Sequence, residues 1–512
     1  MTDNNNINTK RVVKNTGMLY LRMILIMGVS LYTSRVVLEI LGIEDFGIYN
    51  VVGGIVVMAS FLSSSMSSAI QRFLSFELGK NNLVELGRVF SMSVNIHIII
   101  AILVLILSET FGLWFVNNKL TIPENRIYAA NIVYQFSILT FLVNIISVPY
   151  NAAILAYEKM NIFAYIGVVE VGLKLLSVFA LMWFGYDKLA LYAIFLFLIA
   201  LLIRGLYGLY VNRSIPDCKH AFFWDKKLFK TLINFAGWNL WGNLAVVTYT
   251  QGINILLNIF FGPFINAARA IAFQVNSALN SFISNFQIAL KPQIIKSYAS
   301  GDNEYMQTLI FGGAKYSFFL MLLLCAPIIL STPQVLSWWL GTVPDYTIIF
   351  CRLVLVESLI NSISGTLMAG VQATGKIKLY QGIVGGLLLL ILPISYAFLQ
   401  MGYPPETTLY VSISVGVLAL VARLIIVSSI LRFSKKLFIK RVIIPIVLIS
   451  GIMISVGITL TEILDGSISR FLIANTIITF AIIFLIWFVG LNKMERNFVV
   501  KKISNSFFYK RG

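Results

Sequence analysis

Eight residues spaced by three or four positions, Asn266, Arg269, Phe273, Asn276, Asn280, Ser284, Gln287 and Lys291, fall along one face of a helix drawn through them. Amides and hydroxyls in such a row bond water or sugar hydroxyls. An arginine among them presents a planar fork of donors that fits phosphate oxygens and cannot be titrated away. A second row, Ser60, Ser64, Ser67, Gln71 and Ser75, has the same kind of spacing nearer the N-terminus. At a constant offset of 220, Ser60, Ser64, Ser67 and Gln71 match Asn280, Ser284, Gln287 and Lys291. Polar side chains are costly against lipid, so two matched rows point to a shared aqueous cavity. Helix–helix packing is the competing account, because Ser and Asn also serve as small or hydrogen-bonding contacts.

Other polar groups lie at helical spacing in neighbouring apolar segments: Asn243, Thr250, Gln251, Asn254 and Asn258 in one, Glu357, Asn361, Ser364 and Gln372 in another. For these, buried interhelical bonds are as good an account as ligand contacts, and Asn254 is kept with the cavity row. The charges inside apolar segments lean positive. Arg35 and Glu39, and Glu170 and Lys174, stand four apart and can pair along one helix face. Arg72 and Arg204 can snorkel to a membrane surface. Arg22 and Arg269 remain without an obvious partner, and Arg35 is retained beside them. These three are the candidates for an anionic substrate group such as a diphosphate, against the alternative of ion pairs with distant helices. Glu39 and Glu357 are the acids that could couple transport to a cation. The sequence offers no catalytic cluster and no metal-ligand spacing.

The elements that must carry these rows follow from composition. Of 512 residues, 58% are hydrophobic and 12% charged, about half the charged share of a soluble protein. Apolar runs near 20 residues long, the length that crosses a hydrocarbon core, recur throughout. Unbroken runs such as IFLFLIALLI (194–203) do not suit a β-barrel, whose segments are short and alternating. The net charge of +18 sits in short loops beside apolar segments, so it reads as membrane orientation rather than nucleic-acid binding. Cys218, Cys325 and Cys351 have no framework spacing. His97 has no acid nearby in sequence and reads as packed or lipid-facing.

About 14 spanning helices are expected, at 14–41, 48–76, 89–116, 127–151, 160–184, 188–211, 232–260, 264–290, 308–331, 346–372, 382–400, 408–431, 442–463 and 470–491. The N-terminus, the even-numbered loops and the tail hold about 26 Lys and Arg, against about four in the odd-numbered loops. That bias puts both termini in the cytoplasm. The first apolar stretch is too long for a signal-peptide core and is read as a retained first helix. The expected organisation is an N-terminal lobe of helices 1–6 (1–212), a cytoplasmic linker (213–231) and a C-terminal lobe of helices 7–12 (232–431). Two extra helices (442–491) and a basic tail (492–512) follow. An internal repeat supports two lobes. LGIEDFGIYNVVGGIVVMASFLSSSMSSAIQRFLSFELGKNN from Leu41 parallels FFGPFINAARAIAFQVNSALNSFISNFQIALKPQIIKSYASGDN from Phe260, each closing on a Gly-x-Asn turn (Gly79–Asn81, Gly301–Asn303). Paired halves with a site between them are common in secondary transporters.

TSRVVLEILGIEDFGIYNVVGGI (33–55), SSAIQRFLSFELGK (67–80) and NAARAIAFQVNSALNSFISNFQIALKPQIIKSYASGD (266–302) resemble polysaccharide flippases of the multidrug/oligosaccharidyl-lipid/polysaccharide exporter superfamily, most of all bacterial O-antigen or capsule repeat-unit transporters. The resemblance covers nearly the whole chain. It implies an all-α integral membrane protein with two pseudo-symmetric six-helix lobes around a V-shaped central cavity lined by helices 1, 2, 7 and 8. It implies a polyprenyl-diphosphate-linked oligosaccharide as substrate, the lipid bilayer and other polysaccharide-assembly proteins as partners, and the bacterial cytoplasmic (inner) membrane as location. Nucleic acid is not expected as a partner. Related lipid II flippases use cavity arginines for diphosphate, which by resemblance assigns Arg22, Arg35 and Arg269 that role. The stretch between Arg22 and Arg35 departs from the lipid II pattern.

The expected function is therefore a flippase working by alternating access, with no cofactor. Outward movement of a dianion is favoured by a potential negative inside, by roughly 2.3 kcal/mol per charge per 100 mV over the full field; coupling to H+ or Na+ is the other source of drive. A cation-coupled multidrug exporter of the same superfamily is the first alternative and would need acids such as Glu39 and Glu357. A membrane enzyme of polysaccharide assembly, a polymerase or ligase, is the second. The short outer loops hold no His, Cys or carboxylate cluster for it.

Overall fold

The computed structural model describes residues 2–57, 60–119, 122–261, 263–340, 343–461, 468–493 and 495–497, with some side chains in the first 63 residues and at 119, 258, 263–264, 267, 457–461 and 468–472 outside the description. Among the described residues there is no β-strand. In chain order the helices are α1 (Thr2–Val57), α2 (Ser60–Gly79), α3 (Leu83–Leu107), α4 (Leu113–Lys119), α5 (Ile127–Ala156), α6 (Met160–Ala180) and α7 (Lys188–Ser214). Next come α8 (Lys226–Phe261), α9 (Pro263–Ala299), α10 (Asn303–Leu330), α11 (Thr332–Leu340), α12 (Thr347–Ser362) and α13 (Ser364–Thr374). The chain continues through α14 (Lys378–Leu389), α15 (Ile391–Gln400), α16 (Thr407–Leu431), α17 (Lys435–Phe438), α18 (Ile444–Thr461) and α19 (Ile468–Leu485).

Eleven helical stretches among the described residues are long and apolar enough to cross a membrane, where fourteen were expected. The first, second and eighth expected spans are the ones not among them, and all three carry candidate site residues. In α9 the cause is the polar row itself, since each Asn, Gln, Arg and Lys lowers the mean hydropathy of its helix. The boundary after residue 41 is a kink rather than an end. Gly42 has φ 78° and ψ 170°, dihedrals open to a residue without Cβ. The expected second span divides between α1 and α2. The expected eleventh span breaks between α14 and α15. Pro393 lies four residues after Leu389, where its ring opposes the carbonyl and its missing N–H removes the bond.

The chain gathers into two units. Unit one is Met1–Leu244, Ile288–Met306 and Gln372–Gln381; unit two is Ala245–Gln287, Gln307–Val371 and Gly382–Gly512. Unit one thus contains the whole expected first lobe and also the Lys-bearing ends of α8, α9 and the α13–α14 turn. Its core is built around α5, which packs on α1, α2, α3 and α7. Tyr134, Ile138 and Ile145 of α5 are fully buried against Ala101 and Val104 of α3 and Leu189 and Ala193 of α7. Gly112 belongs to this core because Tyr134 reaches over it to donate to the Ser108 carbonyl at 2.8 Å; a Cβ there would lie 2.0 Å from the Tyr134 hydroxyl. The linker is strapped onto α3: Asn95 donates to the Phe223 carbonyl at 2.8 Å, and the Ala221 amide donates to Ser91 at 3.2 Å. Tyr157 donates to Asp217 at 2.9 Å. His97 is packed, with Nδ1 2.7 Å from the Ser93 carbonyl, and all three cysteines are buried as free thiols.

In unit two α16 packs on α12 and α15, and α18 on α19. Lys315 of α10, buried, donates to both carboxylate oxygens of Glu495 at 2.8 and 2.9 Å and to the Gly490 carbonyl at 3.0 Å. This fastens the segment after α19 to α10.

The repeat is written in the backbone. After α2, the amides of Lys80, Asn81 and Asn82 donate to the carbonyls of Phe76, Leu78 and Glu77; after α9, those of Ser300, Gly301 and Asp302 donate to Lys296, Tyr298 and Ser297. Every pair is displaced by 220. The next helix is capped alike, by Asn82 accepting from the Glu85 amide at 3.2 Å and Asp302 accepting from the Tyr305 amide at 3.1 Å. The equivalences are therefore Gly79 with Ala299 and Asn81 with Gly301. This corrects the pairing of the two Gly-x-Asn strings, which is two residues out of step.

Candidate functional site

Within unit one, Arg22 of α1 sets its guanidinium 4.3 Å over the Phe163 ring of α6. Gly167, one turn on, makes the room: a Cβ there would stand 2.5 Å from Arg22 Nε. That Nε is buried and has no hydrogen-bond partner among the described residues. Glu170 and Lys174 pair with each other at 2.6 Å, as their spacing predicts. The Arg35 and Ser60 side chains lie outside the described residues. Ser64 and Glu39 are exposed, Ser67 is half-buried, and Gln71 is buried with its Nε2 unbonded. Lys291, from the second polar row, donates to Ser68 at 2.8 Å. Asn243 donates to Ser65 at 2.9 Å.

Within unit two, Arg269 of α9 is 4% exposed. Its Nη1 donates to the Asn254 side-chain oxygen and, at 3.4 Å, to the Thr250 carbonyl of α8. Its guanidinium lies 4.4 Å over Phe273, and its Nε is buried without a partner among the described residues. Asn266 donates to the Asn254 carbonyl at 2.8 Å and leaves its own Oδ1 unpartnered. Arg22 and Arg269 therefore share one arrangement: a guanidinium on an aromatic face with an Nε donor unused. A buried donor left open costs free energy until an acceptor arrives, and a phosphate oxygen is an acceptor of the right charge.

Farther along α9 the polar row is consumed by neighbouring helices. Asn276 accepts from Asn280 at 2.7 Å and from Ser358 at 2.6 Å, and Asn280 also donates to Ser358 at 3.1 Å. Gln287 donates to Ser317 at 3.2 Å and to the Ser362 carbonyl at 3.0 Å. Packing, the competing account of the row, describes these three positions; Ser284 is exposed. Glu357 is buried and accepts from Ser412 at 2.8 Å, and Arg423 donates to Ser364 at 2.7 Å.

Two buried polar contacts escaped sequence reasoning. Arg72, read as a snorkelling residue, is buried and donates to the carbonyls of Gln372 and Ala373, both at 3.1 Å. Glu158 accepts from Gln293 and Lys296. Contacts across some 135 to 300 residues leave no local periodicity; the only local signal was Phe73 and Phe76 beside Arg72, whose rings lie 4.4 and 4.7 Å from its guanidinium, while Phe235 joins them at 5.6 Å through tertiary contact.

Several solved transporters share this fold. A multidrug resistance MATE family transporter of the MOP superfamily, in an outward-facing conformation, superimposes with a TM-score of 0.70 at 14% identity, over 82% of this chain and 97% of that one. A MATE protein in a bent conformation gives 0.72 at 13% identity, over 84% and 97%. A MOP superfamily transporter from Pyrococcus furiosus, noted for the reversed polarity of its binding pocket, gives 0.68 at 13%, over 82% and 97%. No curated protein matches the sequence significantly. Residues 12–297, more than half the chain, match the family model described as polysaccharide biosynthesis protein, and the chain belongs to that family.

Proposed function

We propose that this protein is a flippase that carries a polyprenyl-diphosphate-linked oligosaccharide from the cytoplasmic to the outer leaflet of a bacterial cytoplasmic membrane, for O-antigen, capsule or related surface polysaccharide. Both termini lie in the cytoplasm. Arg22 and Arg269 bind the diphosphate, and the exposed hydroxyls of Ser64 and Ser284 meet sugar. Arg35, Ser60 and Ser67 belong to the same proposal by their places in the rows. The supporting observation is the pair of arginines, each on an aromatic face with a buried Nε that no group among the described residues accepts from. The family match supports the substrate class.

The test is transfer of a fluorescent polyprenyl-diphosphate oligosaccharide across sealed proteoliposomes. Arg22→Ala and Arg269→Ala lower the rate about 10- to 100-fold, the range of a lost hydrogen bond to a charged group. Arg22→Lys and Arg269→Lys keep the charge but lose the fork and fall between. Unchanged transfer in both alanine variants, each with its unfolding temperature intact, removes the arginines from the proposal.

A second reading is cation-coupled export, favoured by the buried carboxylate of Glu357 with its bond from Ser412. Glu357→Gln and Glu39→Gln, measured by dye efflux, decide it. Efflux that depends on either acid supports this reading; a chain with no efflux, or with efflux indifferent to both, ends it.

A further inference from the structure

The linker lies on a side of α3 that belongs to lipid farther along the helix. Gly87, Ser91, Asn95, Ile98 and Ile102 stand four, four, three and four residues apart and so share one face. Ile98, Ile102 and Ile106 on that side are exposed, a bare apolar surface on a membrane-spanning helix. Over the two preceding turns the same side is covered. A Cβ on Gly87 would lie 3.1 Å from the Asp217 carbonyl oxygen. Ser91 accepts from the Ala221 amide at 3.2 Å. Asn95 donates to the Phe223 carbonyl at 2.8 Å, and its Oδ1 stands 3.0 Å from His220 Nε2. Polar groups on a lipid-facing side are costly, yet Ser91 and Asn95 are buried there and spent on the linker. In return, the irregular backbone of the linker finds the partners that lipid does not offer.

These contacts also set a depth. From Gly87 to Asn95 the linker follows α3 for about 12 Å, at 1.5 Å per residue, and Asn95 is one turn short of the bare isoleucines. The far end of the strap therefore reaches the border between headgroups and acyl chains. At that end Phe222 is 88% exposed and Trp224 is also exposed, with the Trp224 ring 5.1 Å from that of Phe229. Aromatic side chains at this level anchor a protein to the bilayer. Cations accompany them. The Arg88 guanidinium lies 5.6 Å over Phe223, and Lys219, Lys226 and Lys227 are exposed. Among the described residues none of these three lysines makes an ion pair. Lys226 and Lys227 open α8, where the helix dipole disfavours a cation, so their own helix does nothing to offset their charge.

We infer that the segment 219–227 is a lipid-immersed strap that seats the headgroup of an anionic phospholipid, on the side that the Lys and Arg distribution assigns to the cytoplasm. Phe222 lies among the acyl chains, and Lys219, Lys226 and Lys227 donate to the headgroup phosphate. An apolar wedge beside a row of cations fits a molecule with chains at one end and negative charge at the other. A water-soluble partner would have to reach a surface that borders bare isoleucines on a spanning helix.

The test uses the full chain in lipid nanodiscs. Ala221→Cys, at an exposed position of the strap, carries a bimane, and the unsubstituted chain gives the background of the three buried native cysteines. Phosphatidylglycerol or phosphatidylcholine, each brominated high on its acyl chains, is titrated in, and quenching gives a relative association constant for each lipid. Both quench, and phosphatidylglycerol associates about fivefold more strongly, roughly the enrichment that one lysine contributes near an anionic surface. Lys226→Gln with Lys227→Gln brings the ratio close to one. Lys219→Gln lowers it in the same direction and decides the matter if the double variant does not assemble. Lys435→Gln with Lys436→Gln, in another basic stretch, leaves it unchanged. Quenching by aqueous iodide but by neither lipid places the strap in water and overturns the inference. Equal quenching by the two lipids removes the anionic seat. A preference that survives the strap variants, or that falls equally in the Lys435 and Lys436 variant, assigns the effect to the general surface charge and overturns it as well.

Discussion

In the turn after α2 the left-handed residue is Asn81; in the turn after α9, 220 positions later, it is Gly301. Six backbone hydrogen bonds, three in each turn, superimpose in register, and both following helices begin on a side chain that caps them. The side chains around the two turns nonetheless do different work. The first repeat brings a buried arginine to a carbonyl end. The second brings a partly exposed lysine and a glutamine to a carboxylate, and its equivalent of Arg72 is Pro292. Backbone geometry has kept the symmetry while the side chains have divided the tasks. Symmetry of the chain path is therefore a poor guide to symmetry of the energetics.

The largest effect expected from that difference is at Arg72. Replacing it with alanine leaves the Ala373 carbonyl without its donor and removes a guanidinium packed on three rings, a loss of about 3 kcal/mol by the cost of a stranded buried polar group. Lys296→Ala removes a charge whose side chain is 24% exposed, and water compensates part of it, so about 1 kcal/mol is expected. The two are compared by unfolding in graded denaturant at fixed detergent. Equal losses would mean that the repeats share the load, contrary to their burial. Next is Gly301→Ala. A Cβ there meets nothing within 4 Å at φ +81°, so its cost is pure backbone, about 1–2 kcal/mol for a left-handed L-residue. Asn82→Ala and Asp302→Ala follow, at about 1 kcal/mol each for a lost N-cap. Here the repeats should agree, because the caps are geometrically alike, and a difference above about 1 kcal/mol would show the turns to be less equivalent than their hydrogen bonds.

Much of this was legible in the sequence. The all-helical membrane class followed from run length and charge share, and eleven expected spans coincide with apolar helices. The 220 offset was visible because Ser64 and Gln71 align with Ser284 and Lys291 at helical spacing. What periodicity could not supply was the partner of each polar group. Asn280 and Gln287 sit on the same face as Ser284, yet Ser358 and Ser317 take their hydrogen bonds while Ser284 stays exposed. A helical wheel gives direction around an axis and leaves open which direction holds a neighbour. Arg72 fails for a related reason. A cation near a helix end reads as snorkelling, and only tertiary contact reveals that a second helix has brought its carbonyls to it. Arg22 and Arg269 were found because no local acid accounts for them, and among the described residues that lack of a partner persists at Nε in three dimensions.

The finest test of the comparison is Asn81→Gly. Asparagine tolerates left-handed φ better than other residues with a side chain, because its short amide bonds nearby backbone. Glycine adopts it freely but loses more conformational freedom on folding. These terms oppose, so the change should be within about 0.5 kcal/mol of zero, far smaller than for Gly301→Ala at the equivalent site. The two substitutions run in opposite directions at one backbone geometry. If the turns are energetically interchangeable, Gly301→Asn should mirror Asn81→Gly in size with the sign reversed. A Gly301→Asn loss well beyond that mirror value would mean that glycine in the second repeat answers to something more than φ. The close meeting of α2 and α9 just before these turns would then be where to look.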